Sequence, residues 1–242
     1  MYAGRDEFTE RMGAFIRDGV AAGEPTLVVV SAAKIAPLRA ELGADADGVL
    51  FADMADVGAN PGRIIPAWRE FVSEHAAAGR PLRGIGEPIY PERGACELVE
   101  CHRHEALLNL AFADTPSFWL VCPYDTEALP AEVVETAHRT HPSVVSAGVA
   151  RESALFDGLE AVAAPFSDPL PEPPAGAAEV EVRLESLAAL RRFVAAHADA
   201  LLSRDRSDEL LLAVNELATN TVRHGGGRGV LRIWREPDAL VC

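Results

Sequence analysis

The sequence predicts an α/β protein in which a parallel sheet is sandwiched by helices and a smaller α+β unit follows. Short, nearly uninterrupted apolar runs such as Thr26–Ser31 and Phe118–Tyr124 alternate with helical stretches, the pattern of strands buried on both faces. A proline-rich tract, APFSDPLPEPPAGAAE over Ala164–Glu179, then breaks all periodicity. Beyond it come one alternating strand and two helices instead of further strand–helix units.

The elements follow in order. An amphipathic helix spans Glu7–Ala22 and leads into the strand Thr26–Ser31; a helix over Ala33–Leu42 precedes a strand at Val49–Asp53. A helix over Pro61–Ala78, a strand at Leu82–Gly86, a helix at Ala95–Ala111, the strand Phe118–Tyr124 and a helix at Ala131–Thr140 complete this region. Residues 1–163 thus form a first domain, 164–178 a stiff linker and 179–242 a second domain. In the second, EVEVRLES alternates as a strand over Glu179–Leu184, and Leu187–Leu202 is a helix. The next helix has Ser203 or Ser207 as its cap, an apolar face of Leu210, Leu211, Val214 and Leu217, and three glycines after His224 to end it. Trp68, Trp119 and Trp234 fall on apolar faces and are expected in the core.

The 242 residues are 49% hydrophobic and 24% charged, enough apolar content for two cores. Residues 1–178 hold 13 Lys and Arg against 27 Asp and Glu, a balance of −14, whereas residues 179–242 stand at −1. So acidic a first domain repels nucleic acid and favours a protein or small-molecule partner. There is no apolar run of about 18 residues and no apolar stretch near the charged N-terminus MYAGRDEFTE, so neither a membrane span nor a secretion signal is expected, and the chain reads as cytoplasmic. Cys96, Cys101, Cys122 and Cys242 have no paired CxxC spacing and are expected as free thiols.

The most informative stretch is NELATNTVRHGGG, Asn215–Gly227, which sets Glu216, Asn220 and His224 four residues apart on one helix. At about 3.6 residues per turn each step drifts by only about 40°, so the three side chains form a stripe. A carboxylate, an amide and an imidazole together can handle a proton, a divalent cation and a phosphate; the bland alternative is a solvated polar face.

Glu-x-x-x-Asn-x-x-x-His with a preceding apolar run and following glycines resembles the N-box of the Bergerat-fold ATPases, the superfamily of gyrase, histidine kinases and anti-sigma factor kinases. Followed by GVLRIW, it looks most like the serine/threonine kinases of the anti-sigma regulatory factor type. The resemblance implies that Glu216 acts as the base that orients an acceptor hydroxyl, that Asn220 holds Mg²⁺ between the phosphates of ATP, and that His224 lies near the nucleotide. It further implies a sigma factor and an antagonist protein as partners, a role in transcription regulation, and a homodimer. The adenine-reading Asp-x-Gly-x-Gly of that family is expected after a strand that begins near Ala239, whereas the sequence ends at Cys242. The C-terminal region is therefore expected to be an incomplete Bergerat-type module that, as this chain, binds ATP weakly or not at all.

FIRDGVAAGEPTLVVV, NPGRIIPAWREFV, RGIGEPIY, ELVECHRHEALLN and FWLVCPYD resemble the MEDS domain, a sensory relative of RecA-like ATPases that lacks the phosphate-binding loop; no G-x-x-x-x-G-K-[ST] occurs here. The resemblance implies a RecA-like sheet and a small-molecule sensor. Its pocket is expected at the strand C-termini, where Asp53, Glu87, Tyr124 and Asp125 lie, although Asp53, Glu87 and Asp125 equally suit capping roles. Cys101, His102 and His104 on one helix do not converge on a metal, and His138 and His141 suit contacts with helix carbonyls.

Other motifs carry less. HEALLN at His104–Asn109 has no proline where a histidine-kinase phosphoacceptor box needs one, the glycines after His224 have no G-x-S-x-G partner, and Ala44–Gly48 has too few oxygen ligands for a calcium loop. Two function classes remain: a ligand-regulated anti-sigma kinase, or a non-enzymatic sensor that binds a partner, with a sensor histidine kinase fragment as a lesser variant of the first.

Overall fold

The computed structural model describes residues 1–76, 79–115, 117–146, 148–158 and 172–242. The chain divides into two compact units, Met1–Asp168 and Pro169–Cys242. Of the tract expected as a linker, residues 164–171 lie outside the described residues.

The first unit opens with α1 (Gly4–Ala21), β1 (Thr26–Val30), α2 (Ala32–Leu42), β2 (Val49–Asp53) and the single-turn α3 (Met54–Val57). There follow α4 (Ile64–His75), β3 (Leu82–Gly86), α5 (Ala95–Ala111), β4 (Phe118–Val121) and α6 (Ala131–Thr140). The strands form one parallel sheet in the order β2-β1-β3-β4, with Val28 of β1 in register with both Phe51 and Ile85. Alternation along β1 explains its apolar run. Val28 and Val30 pack with Phe8, Met12 and Ile16 of α1 and Leu38 of α2, whereas Val29 points the other way, to Trp68 and Phe71 of α4. With both faces covered, every strand position is better apolar, and each fully buried aliphatic or aromatic side chain contributes about 1.5–3 kcal/mol.

The helix expected to start at Pro61 instead begins at Ile64. Pro61–Arg63 forms a 3-10 turn, and the Asn60 side chain accepts a hydrogen bond from the Gly62 amide at 2.9 Å. β4 is shorter than expected because Pro123, having no amide hydrogen, cannot extend the ladder. One residue expected in the core lies outside it: Trp119 is 61% exposed. β4 is an edge strand, and the helix over that face, α1, reaches only as far as Arg83, whose guanidinium lies between the rings of Phe15 and Trp119. Trp68 is buried as expected and Trp234 is partly buried. An antiparallel hairpin follows α6, β5 (Ser143–Ser146) with β6 (Val149–Glu152), which the sequence pattern does not predict.

The second unit is built from β7 (Ala178–Val182), α7 (Leu187–Ala198), α8 (Arg204–His224), β8 (Gly229–Arg235) and β9 (Leu240–Val241). Its strands form an antiparallel sheet in the order β7-β8-β9. Val182, Leu190, Val194, Val214 and Ala218 form the core between the sheet and the helix pair. Ser203 is the cap of α8, its side chain accepting from the Arg206 amide, while the Ser207 hydroxyl donates to Asp199 at 3.0 Å. Gly226 and Gly227, with φ of 87° and 85°, turn the chain out of α8 through a conformation that side chains disfavour.

Candidate functional site

In the first unit the strand C-termini carry two polar clusters. The crevice between β1 and β3, where the strand order reverses, holds the first. Ser31 alone separates β1 from α2, leaving no glycine-rich loop to cradle phosphates. Lys34 in the first turn of α2 donates instead to Glu87 at 2.6 Å and to the Tyr2 hydroxyl at 2.7 Å, and Tyr2 donates to Glu87 at 2.6 Å. The Lys34 ammonium also lies 4.8 Å from the centre of the Phe8 ring. Burial pushes the Glu87 carboxyl above its ordinary value, against the pull of Lys34 and Tyr2. Lys34, near the end of β1, is thus neutralised by a carboxylate, an arrangement hostile to a triphosphate.

Removing Glu87 leaves the buried Tyr2 hydroxyl without its acceptor and Lys34 without its counter-ion, so Glu87→Ala is expected to cost about 2–4 kcal/mol in urea unfolding of this unit. Glu87→Gln tests the charge alone. Because the folded value lies above 4.5, the folded state holds its proton longer than the unfolded chain, and this group's contribution to stability falls as pH rises from 4.5 through the raised value. The Gln variant is expected to flatten that slope, and an unchanged slope would show that Glu87 titrates normally.

Of the other expected pocket residues Asp125 lies near Glu87, its charge helping to keep that carboxyl raised, and Tyr2, whose hydroxyl donates to Glu87, pairs with Asp125 through its backbone; Asp53 lies apart. Asp53 ends β2, at the opposite edge of the sheet from β4, and caps α3 by accepting from the Ala55 amide at 2.9 Å. Asp125 accepts from the amides of Gly4 at 3.3 Å and Glu127 at 3.0 Å. Tyr124 is buried, and its hydroxyl has no hydrogen-bond partner among the described residues. It lines a cavity of about 640 Å³, together with Met12, Phe15, Trp119 and Val121.

The second cluster escaped sequence reasoning. Glu105 of α5, Cys122 directly after β4 and His141 at the end of α6 bring one oxygen, one sulfur and one nitrogen within 4.8 Å of one another. All three line a second cavity of about 290 Å³, and Cys122 and His141 line the larger one as well. His141 Nε2 lies 2.9 Å from Glu105 Oε2 as an ion pair, yet neither oxygen of this fully buried carboxylate accepts a well-formed hydrogen bond. Burial alone would push the Glu105 carboxyl up, but His141 holds it below its ordinary value; burial likewise opposes the charge on His141, which Glu105 keeps above its usual range. Burial raises the Cys122 thiol well above its ordinary value. His141 Nδ1 also meets the Ala137 carbonyl at 2.8 Å, the helix-end contact expected of it. Cys101 is turned elsewhere, to the Pro88 carbonyl at 3.4 Å, and His102 and His104 each keep a buried ring nitrogen without a partner among the described residues.

In the second unit Glu216, Asn220 and His224 share one face of α8, opposite the line of Val214 and Ala218 that enters the core. All three are exposed and make no side-chain hydrogen bond or ion pair among the described residues. Leu212 and Leu217, also turned outward, are 66% and 67% exposed. The oxygens of Glu216 and Asn220 are hard donors of the kind that suits Mg²⁺.

A family model described as MEthanogen/methylotroph, DcmR Sensory domain (MEDS) matches residues 1–142, and one described as histidine kinase-like ATPase domain matches residues 180–242. No curated protein and no solved structure matches the chain. A sensory domain joined to a histidine kinase-like ATPase domain makes a signal-transduction regulator. Among the described residues no helix is long and apolar enough to cross a membrane.

Proposed function

The chain belongs to the MEDS family of sensory domains, and from that premise we propose a regulator in which this domain senses a small molecule and governs an anti-sigma factor serine/threonine kinase. The observation that carries the kinase reading is the stripe of Glu216, Asn220 and His224 on the outward face of α8, within a region matching a histidine kinase-like ATPase domain. Mg·ATP supplies the phosphate and neutralises its charge. Glu216 then orients the acceptor hydroxyl and draws off its proton, Asn220 offers its amide oxygen to the cation, and His224 stands one turn further along, toward the nucleotide. The partners are a sigma factor and the antagonist protein that accepts the phosphate; two copies of the chain form the working dimer, and the compartment is the cytoplasm.

Transfer of labelled phosphate from ATP, followed by identification of the modified residue, tests this reading in the full-length protein. The expected product is phosphoserine or phosphothreonine on a separate antagonist protein, dependent on Mg²⁺. Label retained on a histidine of this chain would turn the assignment to a sensor histidine kinase. A second reading rests on Leu212 and Leu217, which leave apolar surface beside the stripe and suit a module that only docks a partner. Partner capture that is indifferent to ATP, with no transfer, would favour it.

A further inference from the structure

We propose that Glu105, Cys122 and His141 hold one divalent transition-metal ion of the zinc type in the first unit. The donor set is one carboxylate oxygen, one thiolate sulfur and one imidazole nitrogen, the mixture that borderline-soft ions select over magnesium or calcium. The three come from α5, the turn after β4 and the end of α6, so the fold assembles them without help from neighbouring sequence positions.

Geometry favours an ion over the bare trio. Ligand bonds of about 2.0–2.3 Å in a tetrahedral site put the donor atoms roughly 3.3–3.7 Å apart. The atoms here already lie within 4.8 Å of one another, and the His141–Glu105 pair at 2.9 Å needs to open by only a few tenths of an ångström. Glu105 is a carboxylate 1% exposed, held by the His141 imidazole and the Cys122 thiol without a well-formed hydrogen bond to either, and a cation seated among the three would satisfy all of them at once.

The imidazole is set up in the way metal ligands usually are. Its Nδ1 faces the Ala137 carbonyl at 2.8 Å, which turns Nε2 toward the Glu105 carboxylate, where a metal ion would take the place of the proton that now bridges the pair. Two lone pairs 2.9 Å apart repel unless a second proton or a metal lies between them. Cys122 beside them offers the sulfur: on binding, a metal–sulfur bond replaces the thiol S–H bond and its proton leaves to solvent. Three protein ligands leave a fourth position, and the cavities that Cys122 and His141 line place water or a donor atom of a small molecule within its reach.

The test is titration of the metal-free chain with Zn²⁺ and, separately, with Co²⁺ as a coloured reporter. One equivalent is expected to bind, Co²⁺ giving tetrahedral visible bands together with a thiolate-to-cobalt charge-transfer band. Cys122→Ser is expected to lose that band, and Cys122→Ser, Glu105→Gln and His141→Ala are each expected to weaken Zn²⁺ binding by about 100-fold. Cys101→Ser is expected to keep both. Helix content by circular dichroism separates a lost ligand from a lost fold, and the near-isosteric Glu105→Gln remains informative if Cys122→Ser unfolds. A charge-transfer band that survives Cys122→Ser, or Zn²⁺ affinity equal in wild type and the folded Glu105→Gln variant, overturns the assignment.

Discussion

In a protein that carries the complete ATPase module, replacing Glu216 by Gln is expected to lower phosphate transfer to a serine or threonine acceptor by about 10²–10⁴-fold, the usual contribution of a positioned general base, while Mg·ATP affinity stays within about threefold. The amide keeps the shape of the side chain but cannot take a proton. Glu216 is exposed and its carboxylate holds nothing together among the described residues, so the fold does not depend on it. Asn220→Ala is expected to divide the effects the other way, raising the dissociation constant for Mg·ATP while affecting ATP without Mg²⁺ much less, because its assigned work is done on the metal. The pair therefore forms an internal control. A Glu216→Gln protein with undiminished transfer removes the base from that position, and an Asn220→Ala protein whose affinity loss is the same with and without Mg²⁺ removes the metal ligand.

What could be read from the sequence and what could not follows the range of the interactions involved. The stripe on α8 was legible because helical spacing is local: four residues bring Glu216 under Asn220 whatever else the chain does. Its surroundings were not, since exposure of the stripe depends on what packs over α8, and the spacing predicts only that the three side chains share a face. β1 announced itself because both faces of the sheet are covered, so four of its five side chains are apolar. The β5–β6 hairpin did not, because most of its side chains are exposed and Ser143, Ser146, Arg151 and Glu152 leave neither an apolar run nor a clean alternation. Trp119 misled for a related reason, its strand being apolar like the others while its position at the sheet edge is a fact of topology.

The same distinction explains the Glu105–Cys122–His141 cluster. Each residue looked ordinary in its own segment: a glutamate within a helix, a cysteine at the end of an apolar strand and a histidine at a helix end. Only the parallel order of β3 and β4, with α5 and α6 laid beside them, brings the three together. Adjacent His102 and His104, which do stand out in the sequence, point away from a common centre because neighbours on a helix do not share a face. A sequence signal was nevertheless available in the position of Cys122, just past a strand C-terminus where parallel sheets collect their ligands.

Trp68→Ala is expected to destabilise the first unit by about 3–5 kcal/mol, measured as a shift of its own transition in urea with that of the second unit unmoved. Trp68 is 1% exposed, and its ring lies against the backbone of β3, with Phe71 and Phe118 at its edges. Two glycines make room for it. A Cβ on Gly84 would come within 2.9 Å of Trp68 Cζ3 and within 2.8 Å of a Leu120 methyl, and one on Gly86 within 2.9 Å of Trp68 Cζ2. The strand sequence Gly84-Ile85-Gly86 is therefore written for an indole, with Ile85 turned to the opposite core. Truncating Trp68 leaves a void that neither glycine can fill, so the lost transfer energy and the cavity both count against the fold. The complementary change follows from the same contact. Gly86→Ala is expected to destabilise the wild-type unit through the clash, but to be much less harmful once Trp68 is alanine, giving a coupling of about 0.5–3 kcal/mol in a double-mutant cycle. Additive effects would mean that the ring does not rest on this glycine, and a Trp68→Ala cost below about 1 kcal/mol would place the centre of this core elsewhere.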